Sequence, residues 1–253
     1  MSDWTFPLRL LVSVSGASEA SAALAGGADV IDAKDPRAGA LGAVAPRVLR
    51  EIHAAVAGAR PVTAALGDAE DEADTERAAY TCAAAGAALV KVGFARIADA
   101  DRAAALTAAA ARGAAAGSDG ICGVVAVAYA DAIGDRALEP GAFVDVAVRG
   151  GARGVLLDTA NKSGPGLRYL IERRALAAWV SEAHEAGLFV ALAGRLTAAD
   201  VSFVRETGAD VAGVRGAACD GGRLGRISAE KVAELRAICG PSLLYSSDSS
   251  RSN

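Results

Sequence analysis

The stretch "LAGGADVIDAKDP", Leu24 to Pro36, decides the fold. It reads as the end of an alanine-rich helix, two glycines that stop it, a short apolar run, and then Asp32, Lys34 and Asp35 before a proline. Glycine suits the left-handed turn that closes a helix. An apolar run with little alternation suits a strand covered on both faces. The same phrase recurs as "AAGAALVKVGF" from Ala84, "VRGGARGVLLDTA" from Val148, "HEAGLFVALAG" from His184 and "ETGADVAGVRG" from Glu206. Strands are expected at 8–14, 28–33, 61–66, 88–93, 121–128, 154–158, 188–193 and 211–215. Helices are expected at 18–26, 45–57, 70–85, 99–115, 140–149, 167–186, 197–207 and 228–238. Pro46 and Pro140 mark helix starts, and Thr197 and Ser228 serve as caps. Eight alternating units in about 250 residues predict an α/β protein folded as a closed (β/α)8 TIM barrel. An open doubly wound sheet competes, but no GxGxxG follows the first strand. A single barrel domain is expected over 1–240, with 241–253 as a flexible polar C-terminal tail.

Bulk composition removes several function classes. The chain has 253 residues, 53% of them apolar, with a formal net charge of −4 and 4% aromatics. Neither a basic footprint nor a base-stacking surface is present, so no nucleic acid and no membrane is expected as a partner. Cys82, Cys122, Cys219 and Cys239 are far apart in sequence, as reduced thiols of a cytoplasmic protein would be. No apolar run reaches the roughly 18 residues of a membrane span, and "MSDWTFPLR" lacks the apolar core of a signal peptide.

Of 26 basic residues only four are lysine, namely Lys34, Lys91, Lys162 and Lys231. In so arginine-biased a chain, the surviving lysines are candidates for work that guanidinium cannot do, such as forming an imine or exchanging a proton near neutral pH. In a barrel of this kind the chemistry sits at the C-terminal ends of the strands. Those ends carry Ser13 and Ser15, then Asp32, Lys34 and Asp35, then Asp68, Lys91, Tyr129, Asp131, Asp158 and Lys162. Lys231 reads as a solvated charge in the middle of a helix. Lys91, between Val90 and Val92, does not, because an unpaired buried ammonium is costly. Strand alternation points it into the barrel mouth, where Lys34 from the second strand shares its layer. Desolvation and neighbouring ammonium groups lower a lysine pKa, which makes an imine former or a base. Asp32 and Asp158 are candidate proton carriers or anchors; the plain alternatives are a surface salt-bridge cluster and a turn cap. The glycine-rich turns after the last two strands supply Gly194, Arg195, Arg215, Gly216 and Gly222 as a phosphate cradle. His53 and His184 fall within helices and are read as structural; no metal site and no cofactor is expected. Together these residues suggest imine chemistry on a phosphorylated carbonyl compound.

The motifs "GGADVIDAKDP", "LVKVGF", "VAYAD", "LLDTANKSG", "HEAGLFVALAG" and "GVRGAAC", in this order over about residues 8–238, resemble those of the (5-formylfuran-3-yl)methyl phosphate synthase family. The resemblance implies a barrel lyase. It would join two molecules of glyceraldehyde 3-phosphate into 4-(hydroxymethyl)-2-furancarboxaldehyde phosphate for methanofuran biosynthesis. It implies Lys34 as the Schiff-base lysine, Lys91 as the proton acceptor, and Asp32, Asp158 and Lys162 as further polar residues of the pocket. Local dryness alone favours Lys91 as the imine former, so the two assignments compete. Arg195 departs from the small residue expected after "ALAG", and the "DAEDEADTE" loop is unusually acidic. The expected partners are a phosphorylated triose and further copies of the chain in a homo-oligomer. Another Schiff-base aldolase and a non-catalytic phosphometabolite-binding barrel are the competing functions.

Overall fold

The computed structural model describes residues 8–131 and 138–240. The expected C-terminal tail and most of the N-terminal stretch considered as a leader lie outside these residues. Eight parallel strands, β1 (Arg9–Val14), β2 (Val30–Ala33), β3 (Val62–Asp68), β4 (Leu89–Gly93), β5 (Gly123–Tyr129), β6 (Gly154–Asp158), β7 (Phe189–Leu192) and β8 (Val211–Val214), close into a barrel in sequence order. The closing pair is β1 with β8, in register from Arg9 opposite Val211 to Val12 opposite Val214. Around it run α1 (Ala17–Ala25), α2 (Pro46–Val56), α3 (Glu72–Ala84), α4 (Ala100–Ala116), α5 (Phe143–Arg149), α6 (Arg173–Glu185), α7 (Ala198–Glu206) and α8 (Ala229–Cys239). No helix of the described residues is long and apolar enough to cross a membrane.

The period of two in each strand builds two separate cores. In β4, Val90 and Val92 face the helices in the large outer cluster, while Leu89 packs in the inner cluster that fills the barrel. One step further along the inner face is Lys91. In β6, Val155 and Leu157 face outward, Leu156 packs inward, and Asp158 follows it. Inward positions therefore climb the axis from apolar to charged, and the charged layer lies at the C-terminal mouth.

The glycine turns close helices as expected. Gly86, after α3, has φ +98°, and a Cβ there would also strike the His53 ring of α2. Five expectations need correction. The helix expected at 140–149 begins as a 3-10 turn, Pro140–Ala142, before α5. The helix expected at 167–186 is split into a 3-10 turn, Leu167–Tyr169, and α6, because the Leu167 N–H is taken by the Gly194 carbonyl and its side chain is fully buried. Strand β3 runs on to Asp68 through a bulge between Ala65 and Gly67. After β8, a small antiparallel hairpin of β9 (Cys219–Asp220) and β10 (Arg226–Ile227) stands where only a loop is legible. Lys231 lies in the first turn of α8 and holds this hairpin, with Nζ 2.8 Å from the Cys219 carbonyl and 2.8 Å from Asp220 Oδ1. It is an anchored residue and not a free surface charge.

Candidate active site

The mouth of the barrel is organised around Asp32, which is completely buried. Its register partners on β1 and β3, Ser13 and Thr63, donate their hydroxyls to it at 2.8 and 2.7 Å. From β4, the Lys91 Nζ lies 2.5 Å from Asp32 Oδ1. Four strands thus converge on one carboxylate. Burial pushes that carboxyl up, but the charges of Lys91 and Lys34, with the hydrogen bonds from Lys91 and Thr63, outweigh it and hold it below the usual range.

A second pair lies across the mouth. Asp158, at the end of β6, accepts from its neighbouring Thr159 N–H at 2.8 Å and from Lys162 Nζ at 2.6 Å. Burial again raises the carboxyl, and Lys162 and Lys34 overcome it, so it too stays below its ordinary value. Asp131 fixes the turn between these partners: its two carboxylate oxygens accept from the N–H groups of Ala160 and Asn161 at 2.6 and 2.7 Å.

Lys34 sits between the two pairs, one residue beyond β2, with 8% of its surface exposed. Unlike Lys91 and Lys162, it makes no side-chain hydrogen bond or ion pair among the described residues. Burial lowers its pKa, and the Lys91 and Lys162 charges lower it further. Asp158 and Asp32 partly oppose them, and the balance is a value of about 8. Lys34, Lys91, Asp32, Asp158 and Lys162 line a single cavity of about 1550 Å³. Its lining continues past Leu11, Leu89 and Leu156 to the opposite rim at Arg9 and Arg153, so only its upper part is a reaction chamber. Tyr129 and Asp68 stiffen the rim, the tyrosine hydroxyl donating to Asp68 Oδ1 at 2.8 Å over Gly93, where any Cβ would collide with both groups.

The residues expected to cradle phosphate divide. Gly194 and Arg195 are consecutive left-handed residues, with φ +101° and +57°, that turn the chain from β7 toward α7. Arg195 is exposed and lines the cavity, as does Gly216 at the start of a 3-10 turn after β8. The N-terminus of α7 is closed by its own Thr197–Asp200 capping box. Arg215 is different. Its guanidinium donates to the Ser13 carbonyl, both oxygens of Glu19, and the carbonyls of Arg223 and Gly225, five bonds that use all five N–H donors. It pins β1, α1 and the β9–β10 hairpin together and has nothing left to give a phosphate. Sequence reasoning missed Arg223, at the tip of that hairpin. This residue lines the cavity and donates to the carbonyls of Pro36 and Gly39. The Gly-Gly-Arg step at 221–223, two left-handed glycines before an arginine, is the signal that could have found it.

The chain is similar to known proteins along most of its length. A family model described as 4-HFC-P synthase matches residues 10–236. The (5-formylfuran-3-yl)methyl phosphate synthase of Methanocaldococcus jannaschii is 39% identical, covering 91% of this chain and 99% of the relative. The protein of the same name from Methanosarcina barkeri is 36% identical, covering 92% and 99%. Among solved structures, KGPDC from Streptococcus mutans superimposes with a TM-score of 0.64 at 14% identity, covering 92% of this chain and 98% of that one. A 3-hexulose-6-phosphate synthase does so at 0.62 and 22%, covering 91% and 99%. Both structures bear on the fold alone.

Proposed function

The chain belongs to the (5-formylfuran-3-yl)methyl phosphate synthase family and is a furan-phosphate-forming lyase; from that premise we propose that it joins two molecules of glyceraldehyde 3-phosphate through an imine on Lys34. The product is 4-(hydroxymethyl)-2-furancarboxaldehyde phosphate, with one phosphate and two waters released. The observation that carries this reading is the Lys34 amine. It lies in the cavity, it has no acceptor among the described residues, and its pKa is lowered to about 8. About a tenth of such amines are neutral at pH 7, against fewer than about one in a thousand for an ordinary lysine. The neutral nitrogen attacks the aldehyde carbon of the first triose, and loss of water gives the imine. The protonated imine then withdraws electrons and acidifies the adjacent C–H. The Lys91–Asp32 pair is suited to take that proton, and the Lys162–Asp158 pair to deliver protons to departing oxygens. The resulting enamine carbon attacks the aldehyde of the second triose.

The same reading takes residues 1–240 as the catalytic domain and 241–253 as a tail. It takes the enzyme to work in the cytoplasm as a homo-oligomer in a methanofuran-type pathway, without metal or cofactor. The test is borohydride reduction in the presence of glyceraldehyde 3-phosphate, followed by mass spectrometry. Lys34 is expected to carry the added mass, and Lys34→Arg to fold, to carry none and to make no furan phosphate. A label on Lys91 instead would exchange the roles of the two lysines, and no label on any lysine would remove the imine.

A further inference from the structure

The charges of the chamber do not balance. Three cations of the mouth are paired: Lys91 with Asp32, Lys162 with Asp158, and Arg215 with Glu19. At the end of the cavity that holds the lysines, two further arginines, Arg195 and Arg223, form no ion pair among the described residues; Arg9 and Arg153 belong to the opposite rim. They stand on different elements. Arg195 follows β7, beside the backbone of Gly194. Arg223 is carried on the β9–β10 hairpin and reaches the loop after β2, where the carbonyls of Pro36 and Gly39 fix its guanidinium. That loop begins at Lys34. Two N–H donors are used on the carbonyls, which leaves three of the five for a ligand.

We infer that Arg223 is the anion-binding residue of a second phosphate subsite, the one that holds the phosphate of the triose attached to Lys34. This inference rests on the proposed function, since two phosphorylated trioses must occupy one chamber. The turns after β7 and β8, with Arg195, hold the other phosphate. An aldehyde joined to the Lys34 nitrogen carries its phosphate only three carbons away, so the binding cation must belong to the neighbourhood of residue 34. Arg223 is bonded to that neighbourhood directly. Its partial burial favours a ligand of opposite charge, because a half-desolvated guanidinium gains most from a dianion that offers paired oxygens. Burial and Arg215 lower the Arg223 pKa while Asp158 and Asp35 oppose this, so the residue lies within electrical reach of the reacting groups.

The experiment compares borohydride labelling of Lys34 by glyceraldehyde 3-phosphate and by glyceraldehyde, which has no phosphate. The wild-type chain is expected to prefer the phosphorylated aldehyde. Arg223→Gln keeps an amide donor for the loop carbonyls but loses the charge, and is expected to reduce that preference at least tenfold, with the loss falling chiefly on the phosphorylated aldehyde. Arg223→Lys keeps the charge and is expected to retain part of the preference. An undiminished preference in Arg223→Gln would overturn the inference. So would equal losses for both aldehydes in both variants, since that result makes Arg223 only a loop anchor. If the wild type itself acquires no label, the imine reading falls first, which separates the two failures.

Discussion

Lys34 and Lys91 are lysines of one layer, and their surroundings differ. Lys91 is the drier of the two, at 4% exposure, and dryness by itself argues for a nucleophile. Its amine is nevertheless held against a fully buried carboxylate. Lys34 has the burial without the salt bridge, and its value falls to about 8. This difference was not legible in the sequence. Spacing places both side chains in the mouth, but only coordinates say which one reaches Asp32. The sign of the pH dependence follows. Below about 8 the rate of Lys34 labelling is expected to rise about tenfold per pH unit, and above it to level off. In Lys91→Met a neighbouring positive charge is gone and Asp32 is left to attract protons onto Lys34. The inflection of the labelling rate should therefore move to higher pH. An inflection that stays in place would show that burial alone sets the value.

At the scale of elements, the βα units were readable because each carries its own punctuation. The Thr197 and Ser228 caps, Pro46 at the start of α2 and the glycines after α1, α3, α5, α6 and α7 fall where they were expected. What was not readable depends on partners distant in sequence. The β9–β10 hairpin contains two residues per strand and no apolar alternation. It exists because Arg215 ties its carbonyls to β1 and Glu19, and because Lys231 holds its first strand. For the same reason Arg215 looked like a phosphate ligand: an arginine in a glycine-rich turn carries no local sign that its donors are spent. Arg215→Met should cost about 3–5 kcal/mol, since it leaves Glu19 unpaired and three carbonyls without a donor. Denaturant unfolding would measure this. Hydrogen exchange should show the hairpin amides opening faster, while those of β4 and β5 keep their protection. A loss below about 1 kcal/mol would mean that the hairpin is held mainly by Lys231 and packing.

For the whole molecule, concentrating carboxylates in one interior layer sets the response to acid. Asp32, Asp158 and Glu19 are all held below their ordinary values, the first two against strong burial. Their contribution to stability is complete above the unfolded carboxylate range and is lost as pH falls through the lowered folded values. Lys34 acts in the opposite range: the unfolded chain binds the proton more tightly, so stability rises with pH between about 8 and the ordinary value of 10.5. Urea midpoints are therefore expected to fall steeply below about pH 4. The pair Asp32→Asn with Lys91→Met should flatten part of that slope by removing one such carboxylate. An unchanged slope would place the acid sensitivity in carboxylates other than Asp32.

The barrel closes by pairing its first strand with its last, and two arginines near the end of the chain seal the mouth, one on the Ser13 carbonyl and the other on the Pro36 and Gly39 carbonyls. On the ribosome, residue 34 emerges long before residues 215 and 223 exist. Until the final βα unit is made, that amine is an ordinary hydrated lysine, protonated and inert toward the sugar phosphates around it. Under the proposed function its reactivity arrives with ring closure, so a nascent or truncated chain is expected to capture no aldehyde.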